Sequence, residues 1–281
     1  LARPGEQVEV VVGRATSTEV RAYDGQVEQF ASATSAGVGV RVIAGNRQGF
    51  AYAGTLDADV MAETLAEARD NATFATDDEW LGLAEPDGLA VPALDLYRES
   101  LTRVSTDAKI DLALELERAV RAADPRITGV ESADYADGVS EGAVVSTTGI
   151  RTYGRETSCY VAAHCVATDG DDTQTGFGFS VGRTLDDLDV SVAAGDAARR
   201  ATRLLGATKP ASGRVTVVLD PYVTAQFLGI IGSTLSGEAV LKGRSLFADR
   251  LGESVAAAGF TLVDDATNPL AYSSSETDGE G

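Results

Sequence analysis

Short runs of β-branched and aromatic residues, separated by turn residues, dominate the first 54 positions of the chain. The runs are EVVVG, TEVRAY, QVEQFAS, GVGVRVI and QGFAYAG. Asp24-Gly25 follows the second run and Gly45-Asn46 precedes the last, and both pairs are typical of tight hairpin turns. Such runs joined by such turns predict an antiparallel β-meander over residues 8–54.

A helix is predicted directly after the meander. Asp57 is a suitable N-cap, because its side chain can accept a hydrogen bond from the first free backbone N–H groups. Apolar residues then recur at helical spacing; they are Leu56, Val60, Met61, Leu65, Ala68 and Ala72. We therefore expect residues 1–76 to form a sheet covered by one helix.

Residues 77–104 are predicted to be a linker. They contain Pro86 and Pro92, several acidic residues and little periodicity. We expect Trp80 and Leu81 to hold this segment on a domain surface.

A second α+β unit is predicted over residues 105–208. Ser105 is placed to cap a helix that stops before Asp124-Pro125, and another helix is expected over about 188–205. The strand-like runs between them are 127–136, 141–148, 150–154, 157–168 and 174–182. The order of elements resembles the first unit only loosely, and the sequence reveals no convincing repeat.

The remaining residues, 209–281, predict the beginning of a β-rich C-terminal domain. RVTVVLD and AGFTLVDD are strand-like, and Asp220-Pro221 between them is a strong start for the helix containing QFLGIIGSTLSGE. The final SSSETDGEG holds no closing element, so we expect the chain to be truncated inside this domain. The predicted fold class is α+β, with antiparallel sheets and covering helices in the N-terminal region.

The formal net charge of −20 narrows the classes of partner. Nucleic-acid and anionic-membrane surfaces need a basic patch, so direct binding to either is disfavoured. No apolar stretch reaches the length of a membrane-spanning helix, and no signal peptide opens the sequence. The expected localisation is cytoplasmic.

The segment SCYVAAHCV brings Cys159, His164 and Cys165 within seven residues, which invites a metal interpretation. On a strand, however, the two cysteines share one face and His164 points to the other. We therefore favour a structural role. His164 also offers no clear catalytic triad, because no G-x-S-x-G motif accompanies it.

The segment GEAVLKGRS is the most distinctive polar cluster of the chain. Glu238, Lys242 and Arg244 are candidates for binding a substrate, with the two cations forming a clamp for a carboxylate or a peptide backbone. The competing interpretation is a solvated turn after a helix, where cations favour the helix dipole. The residues alone leave both open.

Several stretches together resemble the TldD/PmbA family, long labelled modulators of DNA gyrase. They are DGQVEQFASATSAGVGVRVIAGNRQGFA, DLYRESL, DLALELERAVRAADPRITGVESADYAD, VVLDPYVTAQFLGIIGSTLSGEAVLKGRS, ADRLGESVA and TLVDD. No single motif suffices, but their order and spacing are specific and cover nearly all of the chain. Members of the family typically continue past the point where this sequence stops.

The resemblance implies a choice between two branches. The TldD branch is a metallopeptidase with an H-E-x-x-x-H motif on a helix, whereas the PmbA branch, also called TldE, lacks the motif and acts as the partner of TldD. Alignment on the shared G-[DE]-x-x-x-K-G segment places the motif at Leu228, Gly229 and Ser233. Leucine and glycine offer no donor atom, and a neutral serine is a poor zinc ligand. Positions i and i+5 lie about 140° apart on an ideal helix, so the motif requires a local distortion, which Gly229 and Gly232 would permit.

The resemblance therefore implies a non-catalytic TldE-like pseudoenzyme, with no activity alone, in a heterodimeric TldD/TldE zinc metallopeptidase. This chain would bind no cofactor, the TldD-like partner would hold the zinc, and the substrates would be leader peptides or unfolded proteins. Two alternatives stay open: a regulator associated with DNA gyrase without peptidase activity, and an independent hydrolase with an unrecognised site.

Overall fold

The computed structural model describes residues 2–269 and 271–281 of the 281-residue chain. The strands are β1 (Glu6–Tyr23), β2 (Gln26–Ala44), β3 (Arg47–Ala53), β4 (Ile127–Ser146), β5 (Arg151–Asp169) and β6 (Asp172–Gly182). The helices are α1 (Ala58–Phe74), α2 (Glu99–Thr102), α3 (Thr106–Ala123), α4 (Val190–Thr202), α5 (Pro221–Thr234) and α6 (Gly237–Leu241), with a 3₁₀ turn at Leu185–Asp187. Residues up to 207 and 266–281 form a larger unit, and residues 208–265 form a smaller one.

A single six-stranded antiparallel sheet organises the larger unit. The strand order is β3-β2-β1-β4-β5-β6, so β1 pairs with β2 on one side and with β4 on the other. The two α+β units predicted from the sequence therefore share one sheet. The antiparallel sheets and covering helices expected for the N-terminal region are confirmed in this form.

The topology contains a repeat that the sequence analysis did not detect. β1, β2, β3 and α1 form one β-β-β-α unit, and β4, β5, β6 and α4 form the other. A glycine in each third strand meets the following helix at close range. A Cβ at Gly49 would lie 1.9 Å from the carbonyl oxygen of Ala68, and one at Gly176 would lie 2.2 Å from that of Ala197. The repeat is evident from the order of the elements and from these equivalent glycine–helix contacts.

The strands are longer than the sequence predicted. EVVVG and TEVRAY are both parts of β1, and the predicted breaks in β2, β4 and β5 are likewise absent. Four glycines at the ends of the predicted runs lie directly opposite one another. Gly154, Gly142, Gly13 and Gly37 form a glycine row across β5, β4, β1 and β2.

Two hydrophobic cores lie on the face of the sheet that the helices cover. One is packed under α1 and includes Val40, Val42 and Leu65. The other is packed under α3 and α4 and includes Leu116, Tyr135 and Val161, among other buried residues. The two clusters share no residue, so each half of the sheet has its own core.

The predicted turns and caps are confirmed. Asp24 and Gly25 have positive φ angles of 50° and 75°, as a type I′ turn requires. The Asp57 side chain accepts hydrogen bonds at the start of α1, and Ser105 does so at the start of α3. The prediction for Trp80 was wrong, since its side chain is 88% exposed.

Leu83 holds the linker on the sheet instead. Its side chain is buried, and its N–H donates to the Gln7 side chain at 3.0 Å. Leu83 rather than Trp80 is the buried residue because it is the one that lies against β1.

Within residues 208–265, the structure has helices α5 and α6 but no strand. The strands predicted at RVTVVLD and AGFTLVDD therefore do not form, because a strand needs a partner for its N–H and C=O groups and these residues supply none. The apolar side chains of α5 also remain unburied. Of the described helices, none combines the length and apolar character that spanning a membrane requires.

Candidate functional site

Helix α5 carries the positions where a metal motif was placed by resemblance. Asp220 is its N-cap and accepts a hydrogen bond from the N–H of Tyr222 at 3.0 Å, and Pro221 occupies the first turn. The helix runs without interruption through Gly229 and Gly232. The local distortion that these glycines would permit is therefore not present.

The three motif positions differ in surroundings. Leu228 is half-buried, while Gly229 is exposed, and apart from its chain neighbours and its own helix backbone no atom lies within 4 Å of where its Cβ would be. The hydroxyl of Ser233 donates to the carbonyl oxygen of Ile230 at 2.7 Å. The helix thus has room for larger side chains at Gly229, but it provides no ligand there.

This donor set does not fit a catalytic metal. A catalytic zinc takes about three nitrogen, sulfur or carboxylate ligands and leaves one position open. Leu228 and Gly229 supply no such atom, and the Ser233 hydroxyl is directed to the backbone. Among residues 2–269 and 271–281, no three His, Cys, Asp or Glu side chains converge on a common point. The expectation that this chain binds no metal stays a prediction.

The polar cluster after α5 lies on and just beyond α6. Ser236 caps this short helix, and Glu238 pairs with Lys242 one turn later. Arg244 follows Gly243, whose positive φ of 65° ends the helix. All three side chains of the predicted clamp are exposed. The Glu238–Lys242 pair partly neutralises the clamp, and its role in binding stays a prediction.

The cysteine–histidine segment has the arrangement of side chains that its strand pattern predicted. Cys159 and Cys165 are buried on the helix-covered face of β5, whereas His164 is exposed and stacks on Phe177 with ring centroids 6.0 Å apart. Burial raises the pKa of Cys159 to about 12 and that of Cys165 to about 11. The thiols are therefore protonated near neutral pH and are poor nucleophiles or metal ligands.

A buried polar cluster beneath α3 was missed by the sequence analysis. Lys109 Nζ lies 2.6 Å from Asp137 Oδ2 and 3.0 Å from the hydroxyl of Thr18. Tyr135 donates its hydroxyl proton to the same Asp137 oxygen at 2.6 Å, and burial raises the pKa of Tyr135 far above its ordinary value. These charges satisfy one another, so the cluster fixes α3 on the sheet. Helical and strand periodicity cannot show which charged residues will face each other.

A shallow hollow lies over β1 and β4 on the helix-free face of the sheet. It has a volume of about 120 Å³, and its walls include Glu19, Gln29 and Tyr160. Arg21 spans part of it through a 2.7 Å ion pair with Asp134. Pockets for small-molecule ligands usually hold about 300–1,000 Å³. This hollow is too small for such a ligand, and a second one of about 250 Å³ at the edge of β5 also lies below that range.

Comparison with known families matches most of the chain in three consecutive blocks. Residues 8–72 match the PmbA/TldA metallopeptidase domain 1, residues 99–205 match the central domain, and residues 212–281 match the C-terminal domain. The chain belongs to the PmbA/TldD family. The resemblance inferred from the sequence is thus confirmed.

Curated relatives of this PmbA/TldD member include two named metalloproteases. It is 26% identical to the metalloprotease PmbA of Escherichia coli O157:H7, with 97% of this chain and 61% of the relative aligned. It is 27% identical to a metalloprotease of Methanocaldococcus jannaschii, with 99% and 62% aligned. The chain thus spans about three fifths of the length of these relatives.

Two solved structures share the fold. One, from Thermotoga maritima and described as a modulator of a DNA gyrase, has a TM-score of 0.81 at 22% identity and covers 98% of this chain and 62% of its own. The other, TldE from Thermococcus kodakarensis, has a TM-score of 0.81 at 20% identity, with the same coverage of 98% and 62%. At such identities the likeness establishes the PmbA/TldD fold alone.

Proposed function

We propose that this PmbA/TldD member is a non-catalytic, TldE-like subunit of a heteromeric TldD/TldE metallopeptidase, and that it helps bind extended peptide substrates. The observation that carries the proposal is the set of side chains at Leu228, Gly229 and Ser233. These positions, where the TldD branch holds its metal and its base, supply an aliphatic group, no side chain and a hydroxyl that is bonded to the backbone.

The geometry of α5 supports the view that the helix is kept while its metal-binding and basic side chains are missing. The helix is capped and continuous, and the space at Gly229 is open. A general base for a zinc-bound water would require a carboxylate or imidazole near these positions. With the scaffold retained and the donors absent, the zinc and the hydrolytic step belong to a TldD-like partner.

The charge of the chain supports a peptide rather than a nucleic acid as the ligand of the complex. A net charge of −20 repels phosphate backbones and attracts unfolded or leader peptides that carry basic residues. The cytoplasm is the compartment proposed for the complex.

Co-purification with a TldD-like chain from the same organism tests the proposal. The full chain alone should retain no stoichiometric zinc and cleave no unfolded peptide, whereas the complex should cleave it and lose activity with a chelator. Chelator-sensitive cleavage by this chain alone would refute the subunit role. Capture of DNA gyrase without any TldD-like chain would favour the regulatory alternative.

A further inference from the structure

Two stretches of strand project beyond the outer strands of the sheet. β3 pairs with β2 only from Val38 to Ala44, and β6 pairs with β5 only from Cys159 to Asp169. Residues 26–36 of β2 and 151–158 of β5 are therefore edges with no strand beside them in the described part of the chain. They occupy equivalent places in the two β-β-β-α units.

The outer strands themselves carry side-chain caps on their free edges. The Asn71 amide of α1 donates to the carbonyl oxygen of Phe50 in β3 at 2.9 Å. The Arg200 guanidinium of α4 donates to the carbonyl oxygen of Phe177 in β6 at 2.8 Å. In each unit the helix therefore covers part of the edge that it packs against, and caps of this kind block pairing by another strand.

The projecting edge of β5 is occupied by an extended segment of the linker. The N–H of Thr157 donates to the carbonyl oxygen of Leu96 at 3.0 Å, and Arg183 donates to the same oxygen at 3.3 Å. Next to this contact, the Arg155 guanidinium lies 4.0 Å from the ring centre of Tyr97. This half of the sheet thus already binds a stretch of main chain at its edge.

Thr34 of β2 is the counterpart of Thr157. Gly49 in β3 lies opposite Val42, and Gly176 in β6 lies opposite Cys165, which aligns the two units. Counting back eight residues from Val42 and from Cys165 reaches Thr34 and Thr157. Thr157 has a main-chain acceptor, whereas the main chain of Thr34 has no hydrogen-bond partner on that edge among the described backbone contacts.

The hairpin geometry shows which groups of β2 are available. Gly45 and Asn46 form a two-residue loop with φ angles of 54° and 59°, so Ala44 and Arg47 are its hydrogen-bonded closing pair. N–H and C=O groups alternate between the two sides of a strand. Every second residue back from Ala44 therefore points its main chain towards the β3 side. Beyond the end of β3, those residues are Ala36, Thr34, Ser32 and Phe30.

The sequence of this edge does not guard it against pairing. Natural edges are commonly protected by lysine, proline, inward charges or bulges. QVEQFASATSA, residues 26–36, contains neither lysine nor proline, and its one charged residue is Glu28. The bulge on this hairpin lies next to Gln29, opposite the Arg21/Ala22 step, and leaves the stretch from Phe30 onwards regular.

We propose that residues 30–36 of β2 pair with the equivalent edge strand of the TldD-like partner, so that the two sheets join at this edge. The inference rests on the proposed function, which supplies a partner of the same family. All side chains from Gln26 to Ser35 are exposed, and those from Ala31 to Ser35 are small, so along that stretch an added strand gains mainly main-chain hydrogen bonds. A free peptide would also lose about 1–2 kcal/mol of backbone entropy for each residue it orders.

A strand already held extended in a folded partner has lost that entropy on folding, so this edge favours a folded subunit over a free peptide. A second copy of this chain would bring two charges of −20 together, which favours a less acidic partner. The segment around Leu96, which pairs with the edge of β5, is likewise not a free peptide, because it belongs to the same folded chain.

Matched substitutions at Ser32 separate the main chain from the side chain. Ser32→Pro removes the outward N–H and spares the ladder with β1, a position where strands tolerate proline, whereas Ser32→Ala keeps the N–H. We expect Ser32→Pro to weaken binding to the TldD-like chain by about tenfold or more and Ser32→Ala by less than about twofold, measured by titration of the purified full chains. Thr34→Pro and Thr34→Ala form a second pair.

Amide exchange gives a readout that does not depend on a substitution. The N–H groups of Ser32 and Thr34 should exchange rapidly in the chain alone and slowly in the complex. Protection of both in the chain alone would overturn the proposal, because the edge would then be covered from within. Tight complexes with both proline variants would also overturn it, as would self-association that these variants abolish while the complex persists. Failure of the unsubstituted chain to bind any TldD-like subunit would instead defeat the subunit role itself.

Discussion

Gly25, at the tip of the β1–β2 hairpin, donates its backbone N–H to Oε2 of Glu117 in α3 at 2.9 Å. The Glu117 side chain is 2% exposed, and its other oxygen accepts hydrogen bonds from Arg121 at 2.8 and 3.0 Å. One buried carboxylate therefore connects the turn of the first β-β-β-α unit to the helix that packs under the second.

Replacing Glu117 with alanine should destabilise the protein by about 2 kcal/mol. The substitution leaves the N–H of Gly25 without its charged acceptor, and hydrogen bonds to charged groups contribute about 1.5–3 kcal/mol. Urea unfolding measures the change. Glu115→Ala, at an exposed position of the same helix, is the control and should stay within about 0.5 kcal/mol. Equal stability of the two variants would contradict the structural role of the contact.

Adding a methyl group at Gly178 should be strongly destabilising. A Cβ there would lie 2.0 Å from the carbonyl oxygen of Ala193 in α4, which is backbone and cannot turn aside. We expect Gly178→Ala to lower the unfolding free energy by at least about 2–3 kcal/mol. Gly195 lies in α4, and outside the helix's own backbone and its chain neighbours no atom would lie within 4 Å of a Cβ there. Gly195→Ala should therefore stabilise the protein by about 0.5–1 kcal/mol. A pair of thermal melts displaced in opposite directions is the expected outcome.

Acid should weaken the ion pair between Glu6 and Arg69. Two hydrogen bonds of 2.9 Å from the Arg69 side chain lower the pKa of Glu6 below its ordinary value. A carboxyl whose folded-state pKa is lowered contributes stability above its unfolded pKa and loses it as pH falls through the folded value. The stability difference between the wild type and Glu6→Gln should therefore shrink between about pH 6 and pH 3.

Urea unfolding at each pH measures this difference, and the exposed Glu63→Gln provides the control. A stability difference that stayed constant down to pH 3 would show that the ion pair does not set the pKa of Glu6.

The two cysteines should resist alkylation in the folded protein. Burial raises the pKa of Cys159 to about 12 and of Cys165 to about 11, so at pH 8 almost no thiolate is present and neither sulfur is accessible. Iodoacetamide labelling followed by mass spectrometry should be slow in buffer and rapid in urea. Rapid labelling of either cysteine without denaturant would contradict the buried placement.

The sequence predicted the local elements well and their association less well. Asp57, Ser105 and Asp220 were identified as caps, because a short polar side chain before an apolar helical pattern has few other uses. The Asp24-Gly25 and Gly45-Asn46 turns followed from the need for positive φ. Each of these features is decided within a few neighbouring residues.

Features that depend on distant residues were missed. Lys109 and Asp137 are ordinary charges in the sequence, and only the packing of α3 on β4 makes them a pair. Gly13 and Gly142 looked like ends of strands because their alignment across the sheet depends on register. The motif positions Leu228, Gly229 and Ser233 were found only by likeness to a family, because these residues lack the ligand atoms that would mark a metal site in the sequence.

The glycine row and the separation of the two hydrophobic cores bear on how the effects of substitutions combine. On the helix-free face, Gly154, Gly142, Gly13 and Gly37 offer no side chains that could press on one another. On the opposite, helix-covered face, the two hydrophobic cores share no residue. The buried residues of the two cores form separate clusters, so a cavity made in one core removes no residue that the other shares. Losses of unfolding free energy from substitutions in the two cores should therefore be additive, so the core of each half of the sheet can change independently of the other.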